Sequence, residues 1–368
     1  MAKQASSSGG ALYDAQRLAR IKASKLYVSN ASPGKVPVIY SAVYNIAFLG
    51  LEKLHPFDSS KWGRVCELLI QKGELESRRI MEPGEATKED LLVVHTPEYL
   101  ESLKRSYVAA SILEVEIFNL CVYISFLSSI KQVPPVALLP YCIIRSKVLV
   151  PFRKQVGGSV LAGKVAYERG WAINVGGGFH HCCGYRGGGF CVYADITLCI
   201  HFAFANLNIS RAMIVDLDAH QGNGHERDFA DDDRVFIFDM YNRDIYPLDY
   251  EAKRWIDRRV EISSGTRTDS YLTRLKQELE GAFQAFAPDL LVYNAGTDIL
   301  EGDPLGRLEV SPEGVKERDE IVFSFARQRN IPIVMLTSGG YMRSSAGVIA
   351  ESISNLHSKK LIDLAGVN

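Results

Sequence analysis

Four runs of apolar, mostly β-branched residues punctuate the chain, and each empties into a polar or glycine-rich loop. They are Trp171–Val175 before GGGFHH, Ala212–Leu217 before DAHQGNGHE, Leu290–Tyr293 before NAGTDILEGDP and Ile331–Leu336 before TSGGYM. A fifth, Val235–Phe238, runs into DMYNRDIYP. Short continuous apolar runs fit strands buried on both faces. Between them Ser159–Arg169, Asp195–Asn206, Ser270–Phe286 and Ser311–Arg329 read as helices, the last opening with Ser311-Pro312-Glu313 as cap and first turn. This alternation predicts an α/β domain, a single parallel sheet flanked by helices on both faces. Such sheets bind ligands beyond the carboxyl ends of their strands, where all of these polar loops fall.

The length of 368 residues suits one large domain over 35–357. Residues 1–34 are Ser/Gly/Ala-rich and are expected to be a disordered tail, with 358–368 as a short C-terminal tail. A basic, Ser-rich start also suits an organellar transit peptide, although Asp14 is atypical of one. Glu116–Val133 breaks the pattern, since nothing between Glu116 and Lys131 is charged. It is too short to cross a bilayer comfortably and reads as an apolar insertion, buried or partner-seeking, so no membrane span is expected.

Charge narrows the classes of partner. The net charge of −1, with acids and bases interspersed, leaves no basic face for direct nucleic-acid binding. The seven cysteines are odd in number and form no CxxC pair, which fits a reducing intracellular compartment. Adjacent Cys182 and Cys183 are poorly spaced to chelate one metal ion.

The strongest chemistry lies in Asp216-Leu217-Asp218-Ala219-His220. Residues two apart on a strand share a face, so two carboxylates and an imidazole would project together. Asp298, after the Leu290–Tyr293 run, supplies a further carboxylate at the same edge. Asp218, His220 and Asp298 would then make a three-ligand divalent-metal site with an open position. One strand-end Asp alone would merely cap the next helix; several at one edge call for a cation. His180 and His181 follow three glycines at that edge and read as proton-transfer groups, with Asp216 as a carboxylate partner. Tyr341, after Ser338-Gly339-Gly340, is a candidate oxyanion donor. His55, His95, His201, His225 and His357 lack such context and read as structural. Gly158–Val165 has phosphate-loop spacing, but Val165 replaces the required hydroxyl and no strand precedes it, so it reads as an amphipathic helix.

Together GGGFHH, RGGGFC, DLDAHQGNGHE, NAGTDILEGDPLG and TSGGY resemble the zinc-dependent histone deacetylases, in family order over about Val36 to Leu356. The DAHQGNG form and YSAVYNIAFLGLEKLHPFD resemble the class IV subfamily. The resemblance implies the arginase/deacetylase fold and hydrolysis of an acyl-lysine amide on histone or other proteins, with a role in chromatin and transcriptional repression. Corepressor-type partners and residence in nucleus or cytoplasm are family expectations. It further implies that Asp218, His220 and Asp298 hold Zn2+ and that His181 is general base and then acid. His180 would assist with Asp216 behind it, and Tyr341 would bind the oxyanion. Gly189, Phe190 and Leu305 match positions lining a narrow acyl-lysine channel. Many relatives also hold a monovalent cation, K+, near the Asp216–His220 loop, close to Asp239.

Two departures stand out. Asn223 replaces an Asp found in many relatives, which should lower the pKa of His181 because an amide stabilises an imidazolium less well. Class IV members share this Asn. The Glu116–Val133 insertion falls in a connection that lies, in the family, near the channel mouth. The competing readings are a small-molecule, acetylpolyamine-type amidohydrolase and a non-catalytic binding module. A binuclear arginase-like hydrolase is disfavoured, because Gly222 stands where its second-metal carboxylate would be.

Overall fold

A computed structural model describes residues 7–28, 34–46, 58, 60–113 and 139–365. The apolar runs become strands of one seven-stranded sheet: β1 (Val38–Ile39), β2 (Trp171–Asn174), β3 (Ala212–Asp216), β4 (Val235–Asn242), β5 (Arg258–Ile262), β6 (Leu290–Asn294) and β7 (Ile333–Leu336). All neighbours pair in parallel, in the order β1-β2-β7-β6-β3-β4-β5. Every residue of β2, β3, β6 and β7 is buried, which is why these strands read as uninterrupted apolar runs. Alternate residues serve opposite faces. Met213, Val215, Leu291 and Tyr293 join the core under the helices Lys61–Gln71, Thr268–Ala285, Pro312–Gln328 and Ser345–Ser358. Ala212, Ile214, Leu290 and Val292 join the opposite one, under Val150–Arg169 and Asp195–Asn206.

Register levels the strand ends. Asp216 pairs with Asn294 of β6 and Asp239 of β4, while Leu336 of β7 pairs with both Asn294 and Asn174. The polar loops therefore leave the sheet side by side. The fully buried guanidinium of Arg318 fixes their spacing, donating to the carbonyls of Leu217 (3.3 Å), Ala295 (3.4 Å) and Gly296.

Several elements differ from expectation. β5 is an edge strand in which only Val260 is buried, and β1 has two residues, so neither makes an apolar run. The helix predicted from Ser159 begins at Val150 and contains the whole phosphate-loop look-alike. It is not amphipathic: every residue from Gln155 to Gly163 is buried. A Cβ on Gly158 would collide with the Tyr44 hydroxyl and approach Asn174 Oδ1 to 2.6 Å. Gly158→Ala should therefore lower the melting temperature, at a cost of about 1–3 kcal/mol; an unchanged thermal melt would contradict this packing.

The expected N-terminal tail, 1–34, is corrected by the helix Ser7–Ala23. Ile21 and Leu26 are buried, and Arg17 Nε donates to the Val93 carbonyl (3.0 Å), so the segment has a docked apolar side. The expected C-terminal tail is likewise anchored, because Ile362 and Leu364 are buried in the main core. The Glu116–Val133 insertion lies outside the described residues. No helix among the described residues is long and apolar enough to cross a membrane.

Candidate active site

β3 ends at Asp216, so Asp218 and His220 stand on a turn rather than on one strand face as expected. Short carboxylates shape that turn. Asp216 Oδ1 accepts from the Asp218 N–H (3.1 Å), and Asp218 Oδ1 accepts from the His220 N–H (3.0 Å). Asp298 Oδ1 accepts from the Ala219 N–H (2.8 Å), drawing the loop after β6 against it. The result places His220 Nδ1 between Asp218 Oδ1 (3.0 Å) and Asp298 Oδ2 (2.9 Å). Gly339 is required here, since a Cβ would run into Asp218 Oδ2; instead its N–H and the Ser338 hydroxyl each donate to that oxygen at 3.1 Å.

The three ligand atoms lie within 4.8 Å of one another and all three residues are buried. Burial, and then the neighbouring Asp218 charge, push the Asp298 carboxyl up to about 7. Two buried carboxylates sharing one imidazole nitrogen form a donor set that a divalent cation satisfies.

The histidine pair is delivered by a folded-back strand end. Gly177 and Gly178 take φ of 71° and 81°, a region open to glycine, and a Cβ on Gly178 would strike Asn294 and Ser338. Buried Asp195 pins the loop, accepting from the N–H groups of Gly178 (2.8 Å) and Phe179 (2.7 Å). His180 Nδ1 lies 2.9 Å from Asp216 Oδ2, and Asn294 Nδ2 donates to the other Asp216 oxygen (3.0 Å). Burial opposes charge on His180, but Asp216 and Asp218 outweigh it and lift its pKa to about 9.

His181 differs. Its Nδ1 lies 2.9 Å from Asn223 Oδ1, and its ring centre is 4.1 Å from that of His180. Burial first, then charge on His180 and His220, hold its pKa well below the usual value. Burial is the leading cause of this lowering, and the hydrogen bond to Asn223 acts in the opposite sense.

Tyr341 is half-buried, its ring 6.0 Å from Phe190 and 6.2 Å from His220 between centroids. Gly189 packs on His181, with no room for a Cβ against its ring. Leu305 is half-buried on a turn whose Asp303 accepts from the Leu305 N–H (3.0 Å) and, through its other oxygen, from the Tyr341 N–H (2.9 Å).

Sequence reasoning missed several members of this site. Lys61, fully buried, donates to the carbonyls of Ser338 (2.8 Å), Gly339 (2.8 Å) and Gly340 (3.2 Å), clamping the turn that presents Tyr341. Tyr246 stands edge-on to His181, 4.9 Å between ring centres. His225, read as structural, brings Nε2 to 2.8 Å from Asp216 Oδ2 and forms a second buried group with Asp216 and Asp239. Asp303 in EGDP, His225 in GNGHE and Tyr246 in DMYNRDIYP lie in polar loops that the sequence marks at the strand ends, whereas Lys61 carries no local mark. Cys182 and Cys183 are buried free thiols and join neither group.

A parallel sheet that gathers three carboxylates (Asp216, Asp218 and Asp298), three imidazoles (His180, His181 and His220) and the Tyr341 phenol at one edge defines a class of metal-dependent hydrolase. The family profile described as histone deacetylase domain matches residues 55–356, and the chain belongs to the histone deacetylase family. It is 60% identical to histone deacetylase 2 of Arabidopsis thaliana over 349 residues, 95% of this chain and 85% of that protein. It is 24% identical to the acetoin utilization protein AcuC of Staphylococcus xylosus, over 78% of this chain and 73% of that protein. The crystal structure of the HDA15 HD domain shares the fold, with a TM-score of 0.67 at 19% identity and 88% of each chain covered. The arginase/deacetylase architecture and the deacetylase class of enzyme follow from these likenesses, and with them a metal cofactor and an acetylated-lysine substrate.

Proposed function

We propose that the protein is a class IV, zinc-dependent lysine deacylase acting on histone or other protein substrates. The observation that carries this reading is the convergence of Asp218, His220 and Asp298 beside His181 and Tyr341. Asp218, His220 and Asp298 would hold Zn2+, whose Lewis acidity would act on an amide carbonyl and the attacking water. The subfamily assignment rests on Asn223 and the DAHQGNG motif around it.

This chain's own groups divide the remaining work. His181, kept neutral by burial, accepts the proton of the attacking water and later returns it to the leaving lysine amine. His180, kept charged by Asp216, stabilises developing negative charge without trading its proton. The Tyr341 hydroxyl donates to the oxyanion, with Lys61 holding the carbonyl of Gly340 before it and Asp303 accepting from its N–H. Gly189, Phe190 and Leu305, joined by Tyr246, would wall the path of the acyl-lysine stem. A monovalent cation beside the Asp216–His220 loop would meet Asp239. Nuclear and cytoplasmic residence fits this role.

The test is turnover of acetyl- and longer acyl-lysine peptides against an N-acetylated polyamine, before and after chelation and zinc restoration. Peptide turnover lost on chelation and regained with zinc is expected, and Tyr341→Phe should lower kcat roughly 10²–10³-fold. Preference for the polyamine would favour the small-molecule alternative, and turnover that survives chelation would sink the proposal.

A further inference from the structure

Asn223 has two chemically opposite ends, and the function proposed above needs only one of them to face His181. Its carbonyl toward Nδ1 requires a proton there and leaves the lone pair on Nε2, as a base demands. Its NH2 toward Nδ1 would require the opposite tautomer, in which Nε2 carries the proton and cannot accept another. A carboxylate in the same place would have no such ambiguity, because it only accepts. Something else must therefore orient the amide.

The structure places Asp249 there. Asn223 Nδ2 donates to Asp249 Oδ2 (3.0 Å) while Asn223 Oδ1 faces His181 Nδ1 (2.9 Å). An ionised carboxylate cannot donate, so the amide nitrogen is obliged to face Asp249 and the oxygen to face the imidazole. Asp249 is itself held firmly, with its side chain 11% exposed. Arg227 Nη2 donates to both of its oxygens (2.6 and 2.7 Å), Arg186 donates at 3.2 Å, and the Ala252 N–H at 3.2 Å. The Gln221 side chain brackets its backbone, donating to the Asp249 carbonyl (3.1 Å) and accepting from its N–H (3.3 Å). Together these bonds fix both the position and the charge of the carboxylate.

We propose that Asp249 is a positioning residue that sets the tautomer of His181 through the Asn223 amide. The Asn223 amide stands between it and the His181 ring. His180 has its carboxylate in direct contact, whereas His181 has its own one amide away. The arrangement orients the base without placing a full negative charge against it.

The proposal rests on His181 being the base, and the experiment separates the two claims. In zinc-loaded full-length protein, Asp249→Ala should lower kcat roughly 10- to 100-fold, part of what a general base contributes, with KM within about twofold. Made in an Asn223→Asp background, the same change should cost less than about threefold, because an acceptor-only residue at 223 needs no orienting partner. Nitrogen-15 NMR of the ring, assigned by loss of the signal in His181→Ala, should show Nδ1–H in the unsubstituted protein and in Asn223→Asp/Asp249→Ala. Asp249→Ala alone should show mixed or reversed tautomers. An equal kinetic penalty in both backgrounds, or an unaltered tautomer in Asp249→Ala, would overturn the proposal and leave Asp249 as a loop anchor. If the unsubstituted protein turns over no acyl-lysine peptide, the proposed function fails, while the ring spectra still decide the role of Asp249.

Discussion

His181→Ala should lower kcat by roughly 10²–10⁴-fold, the range a positioned general base contributes. KM and zinc content should change little, because His181 is not one of the three clustered metal-site residues. Truncation leaves Asn223 Oδ1 without its imidazole partner, so a stability loss of about 1 kcal/mol is also expected. Steady-state kinetics with metal analysis and a thermal melt read all three. A variant that keeps more than a tenth of the original kcat would remove His181 from the chemistry. His180→Ala should be distinguishable: it strips the partner from a buried carboxylate, Asp216, which also binds His225 and Asn294, and should cost more in stability.

The second large effect concerns Asp298. Asp298→Ala deletes the oxygen opposite Asp218 at His220 Nδ1 and the acceptor of the Ala219 N–H. Zinc should fail to co-purify and activity should fall to the level of chelated protein. Stability supplies a readout independent of turnover. Zinc that binds only the folded form raises the melting temperature, by about 2.7 kcal/mol of stabilisation at a hundredfold excess over Kd. Titrating zinc into chelated protein should produce that rise in the unsubstituted chain and none in Asp298→Ala. An equal rise in both would place the metal elsewhere.

What could be read from sequence follows from how locally each signal was written. β2, β3, β6 and β7 were legible because burial on both faces demands apolar residues at every position. Asp195–Asn206 was legible to the residue, and the Ser311 hydroxyl oxygen accepts from the Gly314 N–H (3.1 Å) as expected of a helix cap. β5 was not, since an edge strand with charged Arg258, Arg259 and Glu261 looks like a loop. The same division runs through the site. Asp216, Asp218 and His220 were visible as a cluster within five residues. Lys61 bonds across 277 to 279 positions, and Asp249 meets Asn223 from 26 residues away, so neither leaves a spacing to detect. The turn geometry of Asp218 and His220 also escaped sequence reasoning, because a strand and a carboxylate-capped turn share the same alternating letters.

Arg318 carries a consequence for how fast and how selectively an ion is taken up. A planar, permanently charged fork tied to the carbonyls of Leu217, Ala295 and Gly296 sets the gap between the two loops that carry Asp218 and Asp298. The bite of the ligand set is thus tied to a rigid organic cation. Little reorganisation should accompany loading, and ions whose preferred radius departs from that bite should be penalised by the scaffold rather than accommodated by it.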